Sequence, residues 1–216
     1  MNTDQLIDVL SANLEPACPG QLGKTLILAM GTGAAAAFGL MLMTVGPRPD
    51  LHSTAHLAWV AAKLVFALSV ICSGAPLLLR SIRPGLENAT HWTLLLLPFF
   101  AAIVLALAML LLGRPQAWRE MLLGATTVSW ARCLICIVFF AVIPFGALIW
   151  ALRTGAPTRL KLCGAIAGVV AGGLGAAAYA LSCMSDTIGF LAIWYGAAIV
   201  LCAVIGAQLG PRLLRW

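Results

Sequence analysis

The sequence predicts an all-α, polytopic membrane protein of six transmembrane helices with both termini in the cytoplasm and a short amphipathic N-terminal helix. Three observations carry this. The first is the scarcity of charge: 9% of the 216 residues are charged and 62% are hydrophobic, against about a quarter charged in a soluble domain. The second is a set of six apolar runs, each near the ~20 residues that a helix needs to cross the hydrocarbon. The third is the lopsided placement of Lys and Arg between those runs.

In chain order the expected spans are Thr25–Val45, Leu57–Leu79, Trp92–Leu112, Cys133–Leu152, Leu160–Leu181 and Phe190–Leu209. Pro, Gly or charge bounds each one: Gly46-Pro47-Arg48-Pro49, Arg80 to Pro84, Gly113-Arg114-Pro115, Arg153 to Pro157, Ser185-Asp186 and Gly210-Pro211-Arg212. Helices are required because backbone groups in lipid must be satisfied within the segment. The division expected is a cytoplasmic segment 1–23 followed by a six-helix domain 24–216.

Alternating crossings place Lys24, Arg80, Arg83, Arg153, Arg159, Lys161, Arg212 and Arg215 on one side, and Arg48, Arg114, Arg119 and Arg132 on the other. Eight cations against four orient the termini inward, in the bacterial inner membrane. Lys63 falls within the second span, where snorkelling to the near interface is preferred over a buried ion pair. The net charge of +6 is scattered, as loop anchors are, and forms no nucleic-acid patch. The start of the chain, with Asp4, Asp8 and Glu15 and no cation before Lys24, does not read as a cleavable signal.

Small residues recur every four positions in the fifth span: Gly164, Gly168, Gly172 and Ala176. Gly206 and Gly210 do the same in the sixth. Such ribbons let helix backbones approach closely and predict a compact bundle, not chemistry. The faces between helices carry few polar side chains. That counts against a small transporter, the alternative function, which needs polar groups along its path. An enzyme is not expected, since the chain lacks HExxH, paired carboxylates and G-x-S-x-G.

Residues Thr3 to Leu14 set Leu6, Ile7, Leu10 and Leu14 on one helical face, with Asp4 and Asp8 in the first turns. An interfacial helix gains from Lys and Arg against anionic lipid. This one carries acids only, so it suits an apolar groove on a basic soluble partner better than the membrane surface.

Seven cysteines, with only Cys133 and Cys136 close in sequence, suggest no zinc-ribbon or thioredoxin framework. With the termini inside, Cys133 opens the fourth span and Cys183 follows the fifth, both on the oxidising side. His52, His56 and Asp186 fall on that face too. Together they make a conceivable soft-metal site, set against solvated loop histidines and packing cysteines. Cys72, Cys136, Cys163 and Cys202 read as packing residues, and Cys18 as a reduced cytoplasmic thiol.

The chain resembles the NrsF-type negative regulators of sigma factor F, six-helix bacterial anti-sigma factors. The resemblance runs end to end. It is carried by Thr3-Asp4-Gln5-Leu6-Ile7 with Leu10 and Pro16, Arg83-Pro84-Gly85, and Trp130-Ala131-Arg132-Cys133. The Arg153 to Pro157 stretch, Tyr179 to Cys183, Phe190, Trp194-Tyr195 and the closing Gly210 to Trp216 complete it. It implies that the N-terminal segment holds an extracytoplasmic-function sigma factor at the membrane. It further implies release on a heavy-metal or oxidative signal read by two cysteines, here Cys133 and Cys183. No cofactor, catalytic residue or direct nucleic-acid contact is implied, and the histidines gain no role from it.

Overall fold

The computed structural model describes residues 21–50, 53–81, 93–112, 129–155, 157 and 159–215. Its six long helices are α1 (Gln21–Thr44), α2 (Thr54–Ser81), α3 (Thr93–Leu112), α4 (Ser129–Arg153), α5 (Leu160–Ala180) and α6 (Ile188–Leu213). All six are long and apolar enough to cross a membrane, and no strand occurs among the described residues. The expected N-terminal helix, with Asp4, Leu6, Ile7, Asp8, Leu10 and Leu14, lies outside the described residues, as does His52.

Element boundaries depart from expectation by a few residues, and prolines do not end the helices. Pro76, Pro98 and Pro144 sit inside α2, α3 and α4, and α6 runs through Pro211 to Leu213 instead of stopping at Leu209. A proline removes one backbone donor, which packed neighbours in a membrane protein tolerate. Pro144 is itself packed: it lies against Gly33 of α1, where an added Cβ would stand 2.9 Å from the proline Cα. By contrast, α1 ends as its sequence suggests. Gly46 takes φ +73°, and its N–H donates to the Met41 carbonyl at 2.9 Å, the left-handed cap that glycine makes without strain.

The bundle is built around α5, whose most apolar window is 89% buried against 11% for α3. Apolar attraction cannot drive this arrangement in lipid, so close backbone packing must. Gly164 and Gly168 press on Gly206, Gly210 and Cys202 of α6. A Cβ added at Gly168 would stand 2.8 Å from the Cys202 carbonyl carbon, and one at Gly210 would stand 2.9 Å from the Gly164 Cα. Gly172 meets the Ile199 Cα at 3.2 Å by the same measure, and Ala176 is fully buried. The predicted ribbon is therefore the α5–α6 seam. Two further glycines use other faces of α5: Gly175 abuts the Ile137 carbonyl and Ala141 of α4, and Gly173 abuts Ile71 of α2.

Two apolar clusters define the ends. The lower joins Leu26 of α1, Leu78 of α2, Leu152 of α4, Cys163 of α5 and Leu214, with Arg153 Nε donating to the Leu213 carbonyl at 2.7 Å. The upper joins Met41 of α1, Phe66 of α2, Cys133 of α4, Tyr179 of α5 and Tyr195 of α6. The chain thus enters α1 at the lower end, and the α1–α2 and α5–α6 connections close the upper end.

Replacing Gly168 with alanine should force α5 and α6 apart and destabilise the bundle by about 2 kcal/mol, the usual range for overpacking. Gly39→Ala, where a Cβ meets nothing within 4 Å, should be neutral. Thermal unfolding of the two variants in detergent checks this pair.

Candidate functional site at the upper end

The α5–α6 turn at the upper end is short and heavily tied. Ser182 Oγ donates to the Gly46 carbonyl at 2.7 Å, and the Arg48 N–H donates to the Leu181 carbonyl at 3.1 Å. These two bonds stitch the turn to the α1–α2 connection. Thr187 then caps α6, its hydroxyl accepting from the Phe190 N–H at 3.3 Å, as a short hydroxyl residue at an N-cap does.

Asp186 is the hub of this turn. Its carboxylate accepts from Arg48 Nη1 at 3.0 Å to both oxygens, and from Lys63 Nζ at 3.0 Å. His56 Nδ1 stands 2.8 Å from Oδ2; the donating tautomer at Nδ1 satisfies this shorter contact, leaving Arg48 Nη2 beside the ring at 3.1 Å. Lys63 and Arg48 also donate to the Cys183 carbonyl, at 3.0 and 3.2 Å. Arg48 and Lys63 are 5% and 1% exposed, so both charges are inside the protein. Burial alone would raise the Asp186 pKa, but the hydrogen bonds and charges of Lys63, His56 and Arg48 outweigh it and hold the carboxyl below its ordinary value.

This corrects the expectation for Lys63, which does not snorkel to water or headgroups. Its stem runs up α2, but Asp186 folds over the ammonium and completes a buried ion pair. The same geometry occupies two of the groups considered for metal. Asp186 and the Nδ1 of His56 are engaged with each other and with the cations. Among the described residues no group of three or more His, Cys, Asp or Glu stands placed to hold a metal ion.

The two cysteines singled out by sequence belong to one apolar cluster at this end. Cys133, near the start of α4, is fully buried, and Cys183 is 3% exposed. Both are free thiols, and each lies within electrostatic reach of the other. Tyr195 joins them from α6, fully buried, its hydroxyl beside the Cys183 thiol. A π-helical stretch, Leu191–Tyr195, delivers it; such bulges add a residue to a turn and often mark functional sites. The same stretch sets Trp194 against Trp130 of α4, ring centroids 5.1 Å apart. Trp130 to Cys133, Tyr179 to Cys183 and Trp194-Tyr195 therefore meet in one corner.

Beside this corner opens a cavity of about 530 Å³, lined by Arg48, Arg132, Ser129, Ser182 and Cys183 among others. Of the two buried thiols, Cys183 lines this cavity and Cys133 does not.

Of the remaining cysteines, Cys163 packs as expected, its Sγ 3.1 Å from Ser81 Oγ, and Cys202 lies on the α5–α6 seam. Cys72 is exposed rather than packed, because its face of α2 turns away from α5. Cys136 is half-buried one turn from Cys133. These two, the one pair close in sequence, do have a Cys-x-x-Cys spacing, set here within a helix.

Because folding lowers the Asp186 pKa, its contribution to stability is present above the unfolded carboxylate range, about pH 4. That contribution is lost as pH falls through the lowered value. The unfolding midpoint should show no step from this group between pH 5 and 8 and should fall in stronger acid. Asp186→Asn should remove that acid step and cost about 3 kcal/mol at pH 7, since it strands buried cations. A pH series of thermal melts on both proteins measures it.

The chain matches the family described as NrsF, negative regulator of sigma F, over residues 10–216. It is 34% identical over 223 residues to the anti-sigma-F factor NrsF of Caulobacter vibrioides. It is 31% identical over 218 residues to the probable anti-sigma-F factor NrsF of Azospira oryzae. Both alignments span 100% of each chain. No solved structure matches. Six membrane-length helices and full-length similarity to regulators, none of them enzymes, converge on one assignment: the chain belongs to the NrsF family of negative regulators of sigma F.

Proposed function

We propose that this chain is a membrane-bound anti-sigma factor that sequesters an extracytoplasmic-function sigma factor and releases it on a heavy-metal or oxidative signal sensed by Cys133 and Cys183. Family membership and the names of the two relatives support the regulatory half and displace the transporter alternative. The carrying observation for the sensory half is positional. Two buried thiols share one cluster at the upper end, beside a cavity, while the chain enters α1 at the lower end. This supports a tail and a thiol pair on opposite sides of the bilayer, whichever way the bundle is oriented. The excess of Lys and Arg at the lower end supports a cytoplasmic location for that end in the inner membrane.

In the resting state the tail, through Leu6, Ile7, Leu10 and Leu14 with Asp4 and Asp8, holds the sigma factor away from RNA polymerase. Ligation or oxidation at Cys133 and Cys183 repacks α4 against α5. A signal shifts the equilibrium only by its differential affinity for the two states. Going from one in a hundred released to nearly all released takes about 5.5 kcal/mol, within reach of two thiolates closing on one soft cation. Asp186, His56 and His52 would join such a site only after the ion cluster opens.

Replacing Cys133 and Cys183 together with serine should abolish induction of a sigma-dependent reporter by cadmium or oxidant while the sigma factor still co-purifies with the membrane protein. Retained induction overturns the sensory half. Substituting Leu6, Ile7 and Leu10 with aspartate in the full chain should abolish that co-purification without loss of the protein from membranes. Unchanged co-purification would show that the tail is not the binding element.

A further inference from the structure

We infer that the upper-end cavity is a binding site for a small oxyanion of the phosphate class, either a free ion or the phosphodiester of a lipid headgroup. The inference does not depend on the thiols sensing anything. It starts from a charge imbalance. Arg48 and Lys63 are both buried, yet they share a single carboxylate, and buried charge is costly unless compensated. Among the described residues of the upper-end segments, Arg48, Lys63 and Arg132 stand against Asp50 and Asp186. This end carries more cation than it neutralises.

The cavity is where that surplus converges. Arg48 lines one wall and Arg132 another, with Ser129, Ser182 and Ser185 between them. The Arg48 guanidinium is also under-used. Its Nη1 serves Asp186 and the Cys183 carbonyl and its Nη2 stands beside His56, but the buried Nε has no hydrogen-bond partner among the described residues. A guanidinium presents donors in a fork that fits tetrahedral and planar oxyanions. An oxyanion in the cavity would take charge-assisted bonds from Arg132 and the Arg48 fork and supply the missing negative charge. The two arginines disfavour a cation, and the apolar lining of Val45, Pro47, Pro49 and Met184 leaves room for the ester carbons of a headgroup. At about 530 Å³ the space holds roughly eighteen waters' worth of volume, so a phosphate enters with its nearest waters or as part of a headgroup.

The test uses the full chain in neutral detergent and in nanodiscs. Thermal unfolding is followed while inorganic phosphate replaces chloride at constant ionic strength. Phosphate should raise the midpoint with saturation. Arg132→Gln, at an exposed position, should weaken the apparent affinity about tenfold or more. Arg212→Gln, the same charge loss at the lower end, should leave it unchanged. A phosphate effect retained in phosphatidylcholine nanodiscs identifies a free ion. Stabilisation by phosphatidylglycerol over phosphatidylcholine that Arg132→Gln removes, with added phosphate then ineffective, identifies the headgroup. If neither phosphate nor phosphatidylglycerol moves the midpoint, or both variants respond as the parent does, the site does not exist.

Discussion

The arrangement of the upper end depends on one carboxylate. Asp186 draws a guanidinium from the α1–α2 connection and an ammonium from within α2 onto the turn between α5 and α6. Without it, two buried cations would have to leave the apolar interior, and the turn that carries Cys183 would lose its lid. The attraction is strong here because water is scarce: the same pairs on an open surface would contribute about 1 kcal/mol or less. Two backbone carbonyls, of Leu181 and Cys183, are held by the same arginine. Charge and main chain are thereby locked as one unit, and the position of α2 relative to α5 is set from above.

Beneath that lid, α5 is a platform of small side chains. Its glycines let α6, α4 and α2 approach on three faces, leaving almost no side-chain bulk to absorb a displacement. A packed seam of this kind moves as a body or not at all. A displacement of the α5–α6 turn would therefore be carried along α5 toward Leu160 and Cys163 at the lower end.

Much of this fold was legible in the residues. The spans follow from length and apolar composition, and the α5–α6 seam from the four-residue spacing of Gly164, Gly168 and Gly172. Gly173 and Gly175 were not legible as seams because they belong to no ribbon, and their partners, Ile71 and Ala141, are set only by tertiary packing. Lys63 was misjudged because sequence shows how deep a residue lies but not which loop folds over it. The clue was present: a lone cation within a span and a lone carboxylate in a turn at the same end. The π-helical stretch that turns Tyr195 inward has no sequence signature, since it differs from an α-helix by one residue in a turn. The N-terminal face of Leu6, Ile7, Leu10 and Leu14 rests on its periodicity alone.

A double-mutant cycle between Lys63 and Asp186 tests the central claim most directly, because it isolates the pair from what each side chain does alone. Thermal or chemical unfolding of the parent, Lys63→Met, Asp186→Asn and the double variant would give the coupling. The account predicts about 2 kcal/mol or more, with the double variant more stable than Asp186→Asn. A coupling near zero would contradict it, leaving the upper end held by packing and backbone bonds alone.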